Sequence, residues 1–125
     1  MNSLIKYIFI IIGMILIILT VSIANTADLV KGKKAFKKCV ACHSLEEGKN
    51  KIGPPLNNLL GRKAGSVKGY KYSKAMKNSG VVWNEESLDK FLTKPRKFIT
   101  KTKMSFRGIK KKSLRDDIIS YLKNG

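Results

Sequence analysis

Cys39-Val40-Ala41-Cys42-His43 decides how this 125-residue chain folds. C-x-x-C-H is the spacing of covalent c-type heme attachment. Two thiols at i and i+3 lie on one helical face, where both can add across the vinyl groups of a porphyrin. His43, the next residue, is then held beneath the iron as an axial ligand. Rival chemistries fit less well. A redox dithiol wants a βαβ context, which the sequence lacks. A closed zinc site wants four ligands, and two cysteines with one histidine supply three. An oxidising compartment would turn a bare pair into a local disulfide, which leaves the adjacent histidine unexplained. Because His43 is the one histidine in the sequence, the opposite axial position needs another donor. Methionine suits it, since Met/His ligation raises the potential. Met1 and Met14 belong to the N-terminal apolar segment. Met76 falls in a short helical pattern, where methionine is ordinarily core, and Met104 falls in a loop that is free to present its sulfur.

Upstream of the motif, Lys6 is the one charged residue of positions 1–24, and Tyr7–Ala24 is an 18-residue run interrupted only by Gly13, Thr20 and Ser22. As a helix it would span ~27 Å, close to the ~30 Å hydrocarbon thickness of a bilayer. A charged start, an apolar run and the small residues Ser22-Ile23-Ala24 fit an export signal cleaved after Ala24. The run exceeds the usual signal core, so an uncleaved membrane anchor is the other expectation. Either way residues 25–125 form the functional domain, on the exported, periplasmic side of the inner membrane.

That domain is expected to be all-α, with short helices and long loops. Asp28 can N-cap a helix to about Val40, with Leu29, Gly32, Phe36 and Val40 on one stripe. Gly32 inside that stripe costs ~1 kcal/mol relative to alanine, which predicts a second backbone passing close by. Residues 44–72 hold five glycines and two prolines and are expected to be loop. Ser73–Asn78 can make a helical turn or two, closed by Gly80. Asn84-Glu85-Glu86 places a cap and two acids at a helix start that runs to Pro95. Leu114, Ile118, Ile119, Tyr121 and Leu122 keep helical spacing to the C-terminus. So much irregular chain in so small a domain is reasonable only if it wraps a large rigid cofactor.

With these residues in place, the sequence resembles the class I cytochromes c of the mitochondrial and alphaproteobacterial type over Asp28–Asn124. The likeness rests on Lys31-Gly-Lys-Lys-Ala-Phe36, the heme motif, Gly53-Pro54, Leu60-Gly-Arg-Lys63, Gly69-Tyr70-Lys-Tyr72, Trp83, Thr102-Lys-Met104 and Gly108-Ile-Lys-Lys-Lys112. It implies the class I cytochrome c fold around one covalent heme c, bound through Cys39 and Cys42, with His43 and Met104 as axial ligands. It further implies that the Pro54 carbonyl accepts the His43 ring N–H, and that Arg62, Tyr72, Trp83 and Thr102 satisfy the heme propionates. Gly32 and Phe36 should cross Ile118 and Tyr121. The sequence also departs from the family pattern. Phe91 stands where a tyrosine usually reaches the methionine sulfur, Met76 replaces a polar residue, and Thr100-Lys101 replaces Pro-Gly in the ligand loop. The first two changes make the Met104 side drier and remove a donor from its sulfur, which predicts a lowered or reshaped potential. Lys97 and Lys103 are then candidates to replace Met104 at high pH.

Charge points to partners. Residues 25–125 carry 25 Lys and Arg against 8 Asp and Glu, a formal +17. The lysines are scattered, no aromatic-interleaved RNA platform is visible, and export removes the chain from nucleic acid. Acidic protein surfaces are therefore the expected partners, with an anionic membrane surface as a further one and the chain itself a monomer. By the resemblance, Lys38, Lys51, Arg96, Lys97, Lys103, Lys110 and Lys111 ring the exposed heme edge. Lys33, Lys49 and Lys112 are expected on ordinary solvated surface. The implied function is a one-electron carrier between quinol:cytochrome c oxidoreductase and a terminal cytochrome c oxidase. The competing reading is a heme-containing electron-transfer subunit or weak peroxidase of a larger complex; a peroxidase would need an open distal position and a nearby acid/base, and no second histidine exists.

Overall fold

The computed structural model describes residues 2–124, with the side chains of 2–14 and 29–124. Five helices follow in order: α1 Ser3–Phe36, α2 Lys74–Lys77, α3 Glu85–Thr93, α4 Pro95–Phe98 and α5 Lys112–Asn124. The helix expected to start at Asp28 instead continues from the preceding residues as one backbone helix, so Asp28 is not its cap. It also ends at Phe36 rather than Val40. The chain then tightens into turns, with Cys39 N–H donating to Phe36 C=O at 2.8 Å and Cys42 N–H to Cys39 C=O at 3.1 Å. Among the described residues no helix is long and apolar enough to cross a membrane. The span over Tyr7–Ala24 and the cleavage after Ala24 fall largely on positions 15–28, whose side chains lie outside the described residues.

The domain core forms where the end of α1 crosses α5. Gly32 is buried at that crossing, and a β-carbon on it would lie 2.6 Å from the Asp117 carbonyl oxygen and 2.6 Å from Tyr121 Cβ. The helical glycine therefore has the close backbone neighbour that its cost implied. Phe36 packs on Tyr121 with ring centroids 5.3 Å apart, and Ile118 is 1% exposed. Full burial of a side chain such as Ile118 contributes roughly 1.5–3 kcal/mol.

α3 follows from its sequence almost completely. Asn84 Oδ1 accepts from Ser87 N–H, and Ser87 Oγ accepts from Asn84 N–H, both at 2.8 Å, closing a reciprocal cap. Leu88, Phe91 and Leu92 are buried from its inner face. Pro95 ends it, and Pro95 also begins α4, a turn that the sequence did not announce, where its missing N–H has no role to lose. Arg115 joins α5 to α3. It is 7% exposed, and its Nη1 donates to the carbonyls of Ile109 and Lys110, each at 2.9 Å. Its Nε donates to Asp89 Oδ1 at 2.7 Å. A short antiparallel bridge, Lys63 to Val82, ties the loop region to the segment before α3. Met76 is buried in the core, as its helical position suggested.

Candidate heme site

Cys39 and Cys42 are free and half-buried, and His43 follows on the same series of turns through His43 N–H donating to Cys39 C=O at 2.9 Å. Burial pushes the Cys39 thiol up to about 11, with Cys42 adding to the shift and Lys38 opposing it. A redox dithiol needs the reverse, a thiol whose pKa is lowered.

The His43 ring is fixed on two sides. Its Nδ1 lies 2.7 Å from the Pro54 carbonyl oxygen, so Nδ1 carries the proton and Nε2 keeps the lone pair that an iron would take. The ring also sits against Gly53, where a β-carbon would come 2.3 Å from Cε1 and 2.6 Å from Nδ1. Burial lowers the pKa of His43 below its ordinary value; the bond to Pro54 opposes this and Lys51 adds to it, so the ring is held neutral, as ligation requires. Gly53 N–H donates to Cys42 C=O at 2.7 Å and Leu56 N–H to Ser44 C=O at 2.8 Å, which laces the Gly53-Pro54 loop to the motif. The sequence contained the Gly53-Pro54 signal, but only the structure shows that the glycine is there for the imidazole.

Three distant segments are brought together around this region. Trp83 N–H donates to Arg62 C=O at 2.9 Å, and Gly61 N–H to Trp83 C=O at 2.7 Å, which places Arg62 and Trp83 on adjoining backbone. Arg62 and Tyr72 feel each other's charge. Burial lowers the one and raises the other, and each partly offsets the shift of its neighbour. The Arg62 guanidinium donates to the carbonyls of Pro55 at 2.8 Å and Asn57 at 3.0 Å, so two of its donors are engaged by the loop. Trp83 is buried against Phe91, ring centroids 5.0 Å apart. Thr102 is buried, and its Oγ1 accepts from Met104 N–H at 3.3 Å. Lys103 Nζ donates to the Lys71 carbonyl at 3.1 Å, joining the Met104 loop to the Tyr72 segment.

The donor set fits a heme. It offers two unpaired thiols at i and i+3, an imidazole whose Nε2 is free and whose ring is locked, and a half-buried thioether in a loop. Cys39 and Cys42 would hold the group covalently, and His43 and Met104 would face its metal. When bound, heme supplies a metal that takes up and releases one electron. The seven basic residues expected around the heme edge, Lys38, Lys51, Arg96, Lys97, Lys103, Lys110 and Lys111, are all exposed. Two of them turn back on the backbone, Lys51 onto the Val40 carbonyl and Lys103 onto that of Lys71. Lys49 and Lys112 pair with Glu46 and Asp116 on open surface.

Fold and site together define a c-type heme protein of the all-α kind. The family model for cytochrome c matches residues 29–125. A cytochrome c of Gibberella zeae is 50% identical over 99 residues, covering 78% of this chain and 93% of the relative. A cytochrome c2 of Blastochloris viridis is 41% identical over 112 residues, covering 89% and 88%. The solved structure of cytochrome cH from Methylobacterium extorquens superposes with a TM-score of 0.72 at 43% identity, over 77% of this chain and 97% of that one. The chain belongs to the cytochrome c family, and its cofactor is one covalently bound heme c.

Proposed function

We propose that this heme electron carrier shuttles single electrons from a quinol:cytochrome c oxidoreductase to a terminal oxidase, its iron ligated by His43 and Met104. The observation that carries the proposal is the His43 ring, locked by Pro54 and Gly53 with Nε2 left free, on the same run of turns as both thiols. With both axial positions filled no substrate need bind, and the protein acts in electron transfer rather than as an enzyme. Arg62, Tyr72, Trp83 and Thr102 offset the propionate charge. The exposed basic ring meets acidic docking surfaces. Residues 1–24 direct export to the periplasmic side, cleaved after Ala24 or kept as an anchor.

Ligation is tested by the oxidised spectrum, which should show a sulfur-to-iron band that disappears in Met104→Ala. Partner choice is tested by electron transfer to an acidic oxidase, whose rate should fall steeply as salt rises. A wild-type spectrum without the band, or peroxide turnover at a rate typical of a dedicated peroxidase, would contradict the carrier assignment.

A further inference from the structure

Ile99–Thr102 form a tight turn immediately ahead of Met104. Thr102 N–H donates to Ile99 C=O at 3.1 Å, and Lys101, the third residue, has φ +66° while Thr100 does not have a positive φ. That is the pattern of a type II turn, which takes glycine or asparagine at its third place. Apart from Lys101, only Asn58 among the described non-glycine residues has positive φ, and asparagine enters that region at less cost than lysine. The β-carbon of Lys101 crowds the carbonyl that follows it.

The surroundings hold the turn in this form. Ile99 is 5% exposed, and its N–H donates to the Pro95 carbonyl at 2.9 Å. On the other side Thr102 is buried and takes the Met104 N–H, while Lys103 clasps the Lys71 carbonyl. The strain at position 101 therefore sits three residues from the sulfur, in a loop anchored at both ends, and opening the loop relieves it.

We infer that Lys101 spring-loads the Met104 loop: its left-handed backbone raises the energy of the closed loop, so the iron admits small neutral nitrogen bases more readily than it would with glycine at this position. The inference rests on Met104 being the ligand. The test is imidazole binding to the ferric holoprotein, read as loss of the sulfur-to-iron band, with the limiting rate at high imidazole reporting loop opening.

Lys101→Gly removes the β-carbon and should weaken imidazole binding about 3- to 10-fold, with a matching fall in the limiting rate. Lys101→Asn should fall between. Lys101→Ala loses the ammonium but keeps the β-carbon, and should behave as wild type. Lys101 is exposed, so each variant keeps the core intact. Equal binding across the four proteins overturns the inference, as does Lys101→Ala matching Lys101→Gly, which would assign the effect to charge. A wild-type protein that lacks the band overturns Met104 ligation and the inference with it.

Discussion

His43 has room for its ring only because position 53 carries no side chain. In Gly53→Ala the new methyl would overlap the imidazole, so the ring must turn and lose its bond to the Pro54 carbonyl. The expected result is a protein destabilised by about 1–3 kcal/mol that retains less heme per chain, measured by absorbance against protein mass and by urea unfolding. Phe91 makes the other residue-scale difference. It is buried between Trp83 and Phe98 and brings no hydroxyl where the family usually has one. Under the proposed Met104 ligation, Phe91→Tyr should raise the reduction potential, because a hydroxyl donating to the methionine sulfur weakens its donation to oxidised iron. Voltammetry reads this directly, and an unchanged potential would refute it. Sequence reasoning located both residues but could not show the contact that makes Gly53 necessary, because the imidazole reaches it from ten positions away in the chain.

Between elements, the α1–α5 crossing depends on Gly32. Gly32→Ala places a β-carbon 2.6 Å from α5 and should cost about 1–3 kcal/mol, lowering Tm by several degrees in a domain of this size. Arg115 gives the α3–α5 contact a pH dependence. Hydrogen bonding from Arg115 holds the Asp89 carboxyl below its ordinary value. A depressed carboxylate stabilises the fold above its unfolded pKa, and that contribution is lost as pH falls through the lower folded value. Asp89→Asn should therefore unfold at lower urea than wild type at pH 7, and the gap should close as pH drops below the carboxylate range. α3 was legible in the sequence because its cap, acids, apolar face and terminating proline are all local. The end of α1 was not. The apolar stripe runs on to Val40, but past Phe36 the backbone tightens into turns closed between residues three apart, Cys39 N–H on Phe36 C=O and Cys42 N–H on Cys39 C=O, and a periodicity count does not register that change. Arg115 was missed because a single arginine in a basic chain looks like surface until its three partners, Asp89, Ile109 and Lys110, are assembled.

Across the molecule, the formal +18 lies on the outside of a domain built largely from loops. So much irregular chain is expected to rely on a bound cofactor to complete its core, and a surplus of surface lysines creates a positive field of the kind that attracts acidic partners. The long loops stated this need in the sequence, and the heme motif stated what meets it. The long-range ties that shape the site, Arg62 with Trp83 and Lys103 with Lys71, had no local signal. The central claim is that a porphyrin is joined to this chain through Cys39 and Cys42. Intact mass of the protein purified from a host competent in c-type maturation tests it most directly. The expected mass is one polypeptide plus one heme, with a pigment that stays with the protein in acid acetone. A mass equal to the bare chain, or a pigment that extracts, would contradict it.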